Sequence, residues 1–195
     1  MYKRQYTQTV AVKNDPRSPA SAAELAAQTV MQKALYDRVN TAWTGYQQVT
    51  TMRAAVTPLM KHANADVAKA ATDFDAKLAL AGGTAGGGRR GGGAGAPGGA
   101  PQPPAVLPFT TLHANQLRVL NSIDTGDMAP NETTTAVFNT ACADLKKGVV
   151  NWASLNAKDL KDFNALLAKN NVPAIAAATP ALAAPVCVAP VAAKK

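Results

Sequence analysis

The sequence predicts an all-α fold, an antiparallel helical bundle built on one very long helix. Three observations predict it. From Ser21 to His62, apolar residues recur at alternating spacings of three and four behind a helix-start signal. Aromatic residues make up only 5% of the chain and alanine is common, a composition suited to close helix–helix packing rather than a large aromatic core. Later apolar stripes of the same period are separated by Gly, Pro or Asn stops.

The long helix starts at Ser21, with Ser18-Pro19 as an alternative start two or three residues earlier. Glu24 follows three residues on, and in such a capping box each side chain satisfies the other residue's free backbone N–H. Leu35, Val39, Ala42, Tyr46, Val49, Val56 and Met60 form the stripe, with Arg53 as its polar member. Leu25, Met31, Trp43, Met52 and Leu59 widen it, which suits docking into a bundle better than a two-stranded seam. Roughly 40 residues at about 1.5 Å each reach about 60 Å. Gly45 and Pro58 are its weak points.

Before this helix, residues 6–13 alternate and are β-prone, with Val10 and Val12 on one face. One strand cannot pair its own backbone, so 6–13 reads as the last strand of a truncated β-domain. Residues 1–5, Met-Tyr-Lys-Arg-Gln, read as a sequencing-adapter artefact, the product of one frame of a transposase adapter translated from a GTG start. Asp15-Pro16-Arg17-Ser18-Pro19 is a turn into the helix.

After His62, Asn64 caps a second helix to about Leu80, with Val67, Ala70, Ala71, Phe74 and Leu78 on one face. Residues 14–81 thus form a helical hairpin. Residues 82–108, rich in Gly and Pro, read as a disordered linker carrying Arg89-Arg90. Residues 109–170 complete the bundle. Phe109 to Ile123 is the third helix, with Leu112, Leu117, Leu120 and Ile123 inward. Pro130-Asn131-Glu132 starts the fourth, to about Trp152, with Phe138, Ala141, Leu145, Val149 and Trp152 inward and Gly148 permitting close approach or a slight bend. Asn156 caps a fifth, Ala157–Lys169, with Leu160, Phe163, Leu166 and Leu167 inward. Residues 171–195 read as a disordered tail: they carry no charge from 172 to 193, and Pro173, Pro180, Pro185 and Pro190 break any membrane-spanning helix.

The formal net charge is +8, but its basic residues are scattered rather than gathered in a nucleic-acid stripe. Two cysteines are too few for a disulfide framework. A Cys142–Cys187 bridge requires the tail to fold back, and the favoured reading is a buried helical thiol at 142 and a free tail thiol at 187.

No stretch announces a reaction. Asp124-Thr125-Gly126 matches the aspartic-protease triplet but ends a helix and is followed by Asp127. His62 and His113 have no ligand at metal-site spacing. Asp73 and Asp75 face different ways, and Trp43 and Tyr46 read as core rather than a ligand groove. No residue is assigned a catalytic, cofactor-binding or metal role, and no cofactor is expected.

Two segments carry a family resemblance. The first is Tyr6-Thr7-Gln8 through Val12, Asp15-Pro16-Arg17, then Gln28, Leu35-Tyr36-Asp37 and Met52-Arg53. The second is Leu145–Ile175, with Trp152, Asp159-Leu160, Phe163-Asn164, Leu166-Leu167 and Val172-Pro173. Together they resemble the C-terminal region of bacterial sortilin-like, BNR-repeat proteins labelled glycosyl hydrolases. In that family β-propellers precede an Ig-like domain whose last strand ends in a Y-T-Q-x-L-x-V pattern, and a D-P-R turn leads into terminal helices. The resemblance covers about residues 6–80 and 109–175; Asn14 stands where Met is more usual, and the Gly-rich insertion and tail match no motif.

It implies that 6–13 is the leftover strand of a missing Ig-like domain. It implies too that the chain is a fragment of an extracytoplasmic or secreted protein, whose partners are its own upstream propeller and Ig-like domains. The function expected is a non-catalytic accessory or structural module, because the enzyme label rests on the propellers. The alternatives are a free-standing basic adaptor for anionic polymer, nucleic acid or glycan, working through Arg89-Arg90 and scattered lysines, and a small hydrolase built on Asp124 or the histidines.

Overall fold

The computed structural model describes residues 6–11, 13, 15–18, 20–83, 106–124, 126 and 130–187. The expectations for 1–5, for Arg89-Arg90 and for the linker between 84 and 105 lie outside them.

The chain is all-α. Five helices occur among the described residues: α1 (Ala22–Val56), α2 (Ala65–Gly82), α3 (Phe109–Ile123), α4 (Glu132–Ser154) and α5 (Leu160–Lys169). The expected strand is not formed. The described residues of 6–13 have no strand pairing and all are exposed, as for a segment with no neighbouring strand to hydrogen-bond.

The capping box forms as expected. Ser21 N–H donates to Glu24 Oε2 at 2.7 Å, and Glu24 N–H donates to Ser21 Oγ at 3.3 Å. α1 ends at Val56 rather than His62. Pro58 supplies no N–H, and Thr57–Lys61 tightens into a 3-10 turn. Asn64 then caps α2, accepting from the N–H groups of Asp66 and Val67. The helix runs to Gly82, two residues past the expected Leu80, and Gly83, at φ 79°, ends it in a backbone region that favours glycine.

α2 doubles back along α1. Arg53 and Asp75 form a two-pronged ion pair at 2.8 and 2.9 Å, and Gly82 abuts Val49. α3 also runs against α1. Phe109 packs on Gly45, and at the other end Gln28 Nε2 donates to the carbonyls of Ile123 and Gly126 at 2.8 Å each. The N-terminus of α3 is wedged: Phe109 fills the notch at Gly45 on α1, and Leu112 fills the one at Gly148 on α4. Gly45 is therefore a packing notch, not a weak point.

The break expected after Trp152 is absent. α4 runs through a π turn at Leu155–Asp159 straight into α5, so Asn156 is not a helix cap. The face of α3 also differs from expectation. Gln116 and Val119 are buried, whereas Leu117 and Leu120 are only half-buried. A buried glutamine on the core face shifts the visible stripe by one residue.

The core has two parts. The larger gathers Val49, Phe74, Leu78, Phe109, Trp152 and Phe163; the smaller gathers Met31, Leu35, Val119, Ile123 and Phe138. Phe74 stacks on Phe163 with ring centroids 5.0 Å apart. Between the two clusters each helix contributes a different kind of side chain: Arg38 from α1, Gln116 from α3 and Cys142 from α4, all buried.

Candidate interaction face: a strap across the helices

The tail expected to be disordered from 171 is instead packed from 171 to 187; residues 188–195 lie outside the described set. Asn171, at φ 56°, turns the chain, and Val172 N–H donates to Leu167 O at 2.9 Å. An asparagine tolerates this left-handed conformation better than most residues. The strap then crosses the helix faces with Val172, Ile175, Ala178 and Leu182 packed against the larger core. From Val172 to Ala178 every third residue is half-buried and those between are exposed, the period of an extended polyproline-type chain.

Side-chain amides hold it. Asn164 Nδ2 donates to Ile175 O, and its Oδ1 accepts from Ile175 N–H, both at 2.8 Å. Asn156 grips Ala178 in the same two-way fashion at 2.9 and 2.8 Å. An asparagine side chain carries both a donor and an acceptor, so it replaces the partner strand that an extended segment lacks. On a regular helix at about 100° per residue, positions 156 and 164 stand roughly 80° apart. The wider π turn between them takes up much of that difference and brings both amides onto the strap face.

Further along, Gln48 Nε2 donates to Pro180 O at 2.8 Å, while its Oε1 accepts from Trp152 Nε1 at 2.8 Å. The buried indole thus fixes which end of the Gln48 amide meets the strap. Arg38 donates to Phe138 O at 3.3 Å and to Val186 O at 3.2 Å, and its guanidinium lies 4.0 Å from the centre of the Phe138 ring. Burial pushes the Arg38 pKa below the ordinary value, and carbonyls and a ring face stand where a carboxylate partner would be expected. At the far end Cys187 bonds to Cys142 of α4, with Cα atoms 5.6 Å apart. The sequence reading of two free thiols is overturned: the amide clamps fold the tail back, which is what that bridge required.

The residues weighed for chemistry are dispersed. Asp124 caps the end of α3 and accepts from Gln32 Nε2 at 3.1 Å. His62 Nδ1 accepts from Asn64 N–H at 3.1 Å. Asp73 pairs with Lys69 on the surface, and Asp75 with Arg53. Among the described residues no three His, Cys, Asp or Glu side chains gather at metal-binding distance. Among the described residues no helix is long and apolar enough to cross a membrane.

Trp43 is not core: it is 46% exposed, with Tyr46 and His113 at 5.3 and 5.5 Å between ring centroids. The opening between α3 and α4, about 290 Å³, is bordered by Arg118, Thr140 and Asp144 and is shallow.

Sequence reasoning missed Asn156, Asn164, Gln48 and Arg38 as the strap's anchors. The usable signals were the three-residue spacing of Val172, Ile175 and Ala178, and the polar residues Arg38 and Gln48 inside an otherwise apolar packing pattern. Comparison of the chain with protein-family models, with curated proteins and with solved structures returned no match in any of the three.

Proposed function

We propose that the chain is a non-catalytic accessory module, an antiparallel helical bundle that closes a larger exported protein of the sortilin-like, propeller-bearing kind. The observation that carries this reading is the Cys142–Cys187 bond across a folded-back strap. Disulfides persist mainly in oxidising compartments, so a tail fastened this way suits a protein working outside the cytosol. Polar side chains are spent on fastening: Arg53 with Asp75, Lys77 with Asp159, Trp152 with Gln48, and the two asparagine clamps. Such an inventory fits an architectural part.

The exposed Tyr6 and Val10 fit a segment that an upstream Ig-like domain covers. In this reading α1 is the arm that carries the chain away from that domain through the Asp15-Pro16-Arg17 turn. The glycosyl-hydrolase label of the parent family belongs to the propellers, and no residue here is given a part in that reaction.

The test is the genomic DNA upstream of the Tyr6 codon. An open frame encoding propeller repeats and an Ig-like domain supports the reading. A stop codon followed by a ribosome-binding site immediately before it overturns the reading.

A further inference from the structure

The strap divides into two parts with different fastenings. From Val172 to Ala178 it is gripped by two-way amide clamps, in which both the N–H and the C=O of Ile175 and of Ala178 are bonded. Among the described residues, the hydrogen bonds from the helices to Pro180–Cys187 reach only carbonyls, Pro180 O from Gln48 and Val186 O from Arg38; Leu182 packs on the core, and the disulfide fastens the end. Ala181, Ala183, Ala184 and Val186 in this half are exposed, and only Leu182, Pro185 and Cys187 are half-buried. The distal half therefore gains little from burial and depends on its covalent end. Its contacts are also almost free of side-chain recognition. The groove takes carbonyl oxygens at set intervals from a chain of alanines and prolines.

We propose that the face formed by Gln48, Arg38 and the middle of α4 around Cys142 is a thiol-gated receptor for an extended, uncharged, alanine- and proline-rich segment, filled in the oxidised protein by residues 180–187 of the chain itself. The proposal stands apart from the question of the parent protein, since it needs only the strap and the helices beneath it.

The gate is a thiol–disulfide exchange. Cys142 Sγ is buried and Cys187 is half-exposed, so an incoming thiolate from a dithiol attacks Cys187 Sγ. The Cys142–Cys187 bond breaks, Cys142 leaves as a thiolate and takes up a proton. A mixed disulfide forms on Cys187. The second thiol of the dithiol then attacks its own sulfur in that mixed disulfide and releases Cys187 as a thiol. The protein gains two electrons and two protons, and the dithiol is oxidised to its disulfide. The proximal clamps at Ile175 and Ala178 stay closed, so the chain opens like a flap hinged near Thr179. Gln48 Nε2 and one Arg38 nitrogen lose their strap carbonyls and present their donors to an equivalent chain.

The experiment uses the full chain, oxidised or treated with dithiothreitol, and two readouts. The first is alkylation of Cys142 by iodoacetamide. In the reduced chain it is expected to proceed within a few-fold of the rate at Cys187, because the flap has left the buried sulfur. A Cys142 that stays unreactive while Cys187 is modified overturns the gate. The second is fluorescence polarisation with a labelled peptide of the sequence 179–187 carrying C187S.

The reduced chain is expected to bind it at least tenfold more tightly than the oxidised chain, and C142S is expected to behave as the reduced chain does without any reductant. Q48A is expected to lose the peptide while keeping its helical circular dichroism. Equal binding to oxidised and reduced chains, or no binding to a reduced chain whose Cys142 is reactive, overturns the receptor. Undiminished binding by folded Q48A also overturns it, because the peptide then sits elsewhere.

Discussion

Replacing Gly45 with alanine sets two well-characterised effects against each other. Helix propensity alone favours the change, since alanine in a helix interior is about 0.8–1.0 kcal/mol better than glycine. Packing opposes it. An alanine Cβ at 45 meets Phe109 Cε1 and Cζ at 2.5 Å and Cδ1 at 2.8 Å. The ring must move by about 1 Å to restore ordinary contact distances near 3.5 Å. Phe109 is only 1% exposed and sits at the point where α3 wedges between α1 and α4, so it has little room to move.

Overpacking of this kind costs about 1–3 kcal/mol. The net expectation is a loss of about 1 kcal/mol, or a fall in Tm of roughly 2–4 °C for a chain of this size. Urea denaturation followed by far-UV circular dichroism measures it, with an unchanged m value as the check on two-state behaviour. The decisive comparison repeats G45A in a Phe109→Ala background. There the obstacle is gone and the propensity gain alone remains, so G45A is expected to stabilise by about 0.8 kcal/mol. A G45A chain that is more stable on its own, or that shows the same effect in both backgrounds, refutes the notch.

Asn164→Ala removes both bonds to Ile175 and leaves that backbone without its partner; a loss of about 1–3 kcal/mol is expected, with hydrogen exchange at the Ile175 amide accelerating first. Reducing the disulfide costs at most about 4 kcal/mol, the chain-entropy value for residues 45 apart, as read from denaturation with and without reductant. A smaller loss is expected if the distal strap also gains freedom in the reduced folded state.

The Arg17 side chain, then its backbone N–H, holds the Asp15 carboxyl below its ordinary pKa. A lowered pKa means that the turn is favoured above the unfolded value and loses that support as pH falls through the folded one. NMR titration of the Asp15 side chain is expected to give a midpoint below the ordinary 3.8, and R17A to bring it back towards that value.

Helices were legible wherever apolar spacing and end signals agreed. The Asn64 cap, the Ser21–Glu24 box and the bounds of α3 all followed from local chemistry that needs no tertiary partner. The errors lie where a distant part of the chain decides. Trp43 sits one residue from the buried Ala42, so the width of the stripe on α1 depended on how closely α3 approaches, and that is set by the Gly45 notch. Asn156 has the residue type of a helix cap, but its amide is committed to Ala178, and the helix continues through a π turn that no local spacing announces.

The strap was the largest omission, for a physical reason. Hydrophobic periodicity at two or 3.6 residues is blind to an extended chain of period three, and alanine contributes too little apolar surface to mark a buried face. What makes the segment ordered is on the helices instead, in amides at 48, 156 and 164 that look solvated when each is read alone. Composition marks 171–187 as unable to build a core of its own, which is correct. Order came from donors and acceptors supplied by elements already folded, and from one sulfur placed by α4 where the end of the strap arrives. A low-complexity tail is thus a statement about what a segment cannot do alone. Whether it docks depends on how many unpartnered amides the rest of the chain presents at matching intervals.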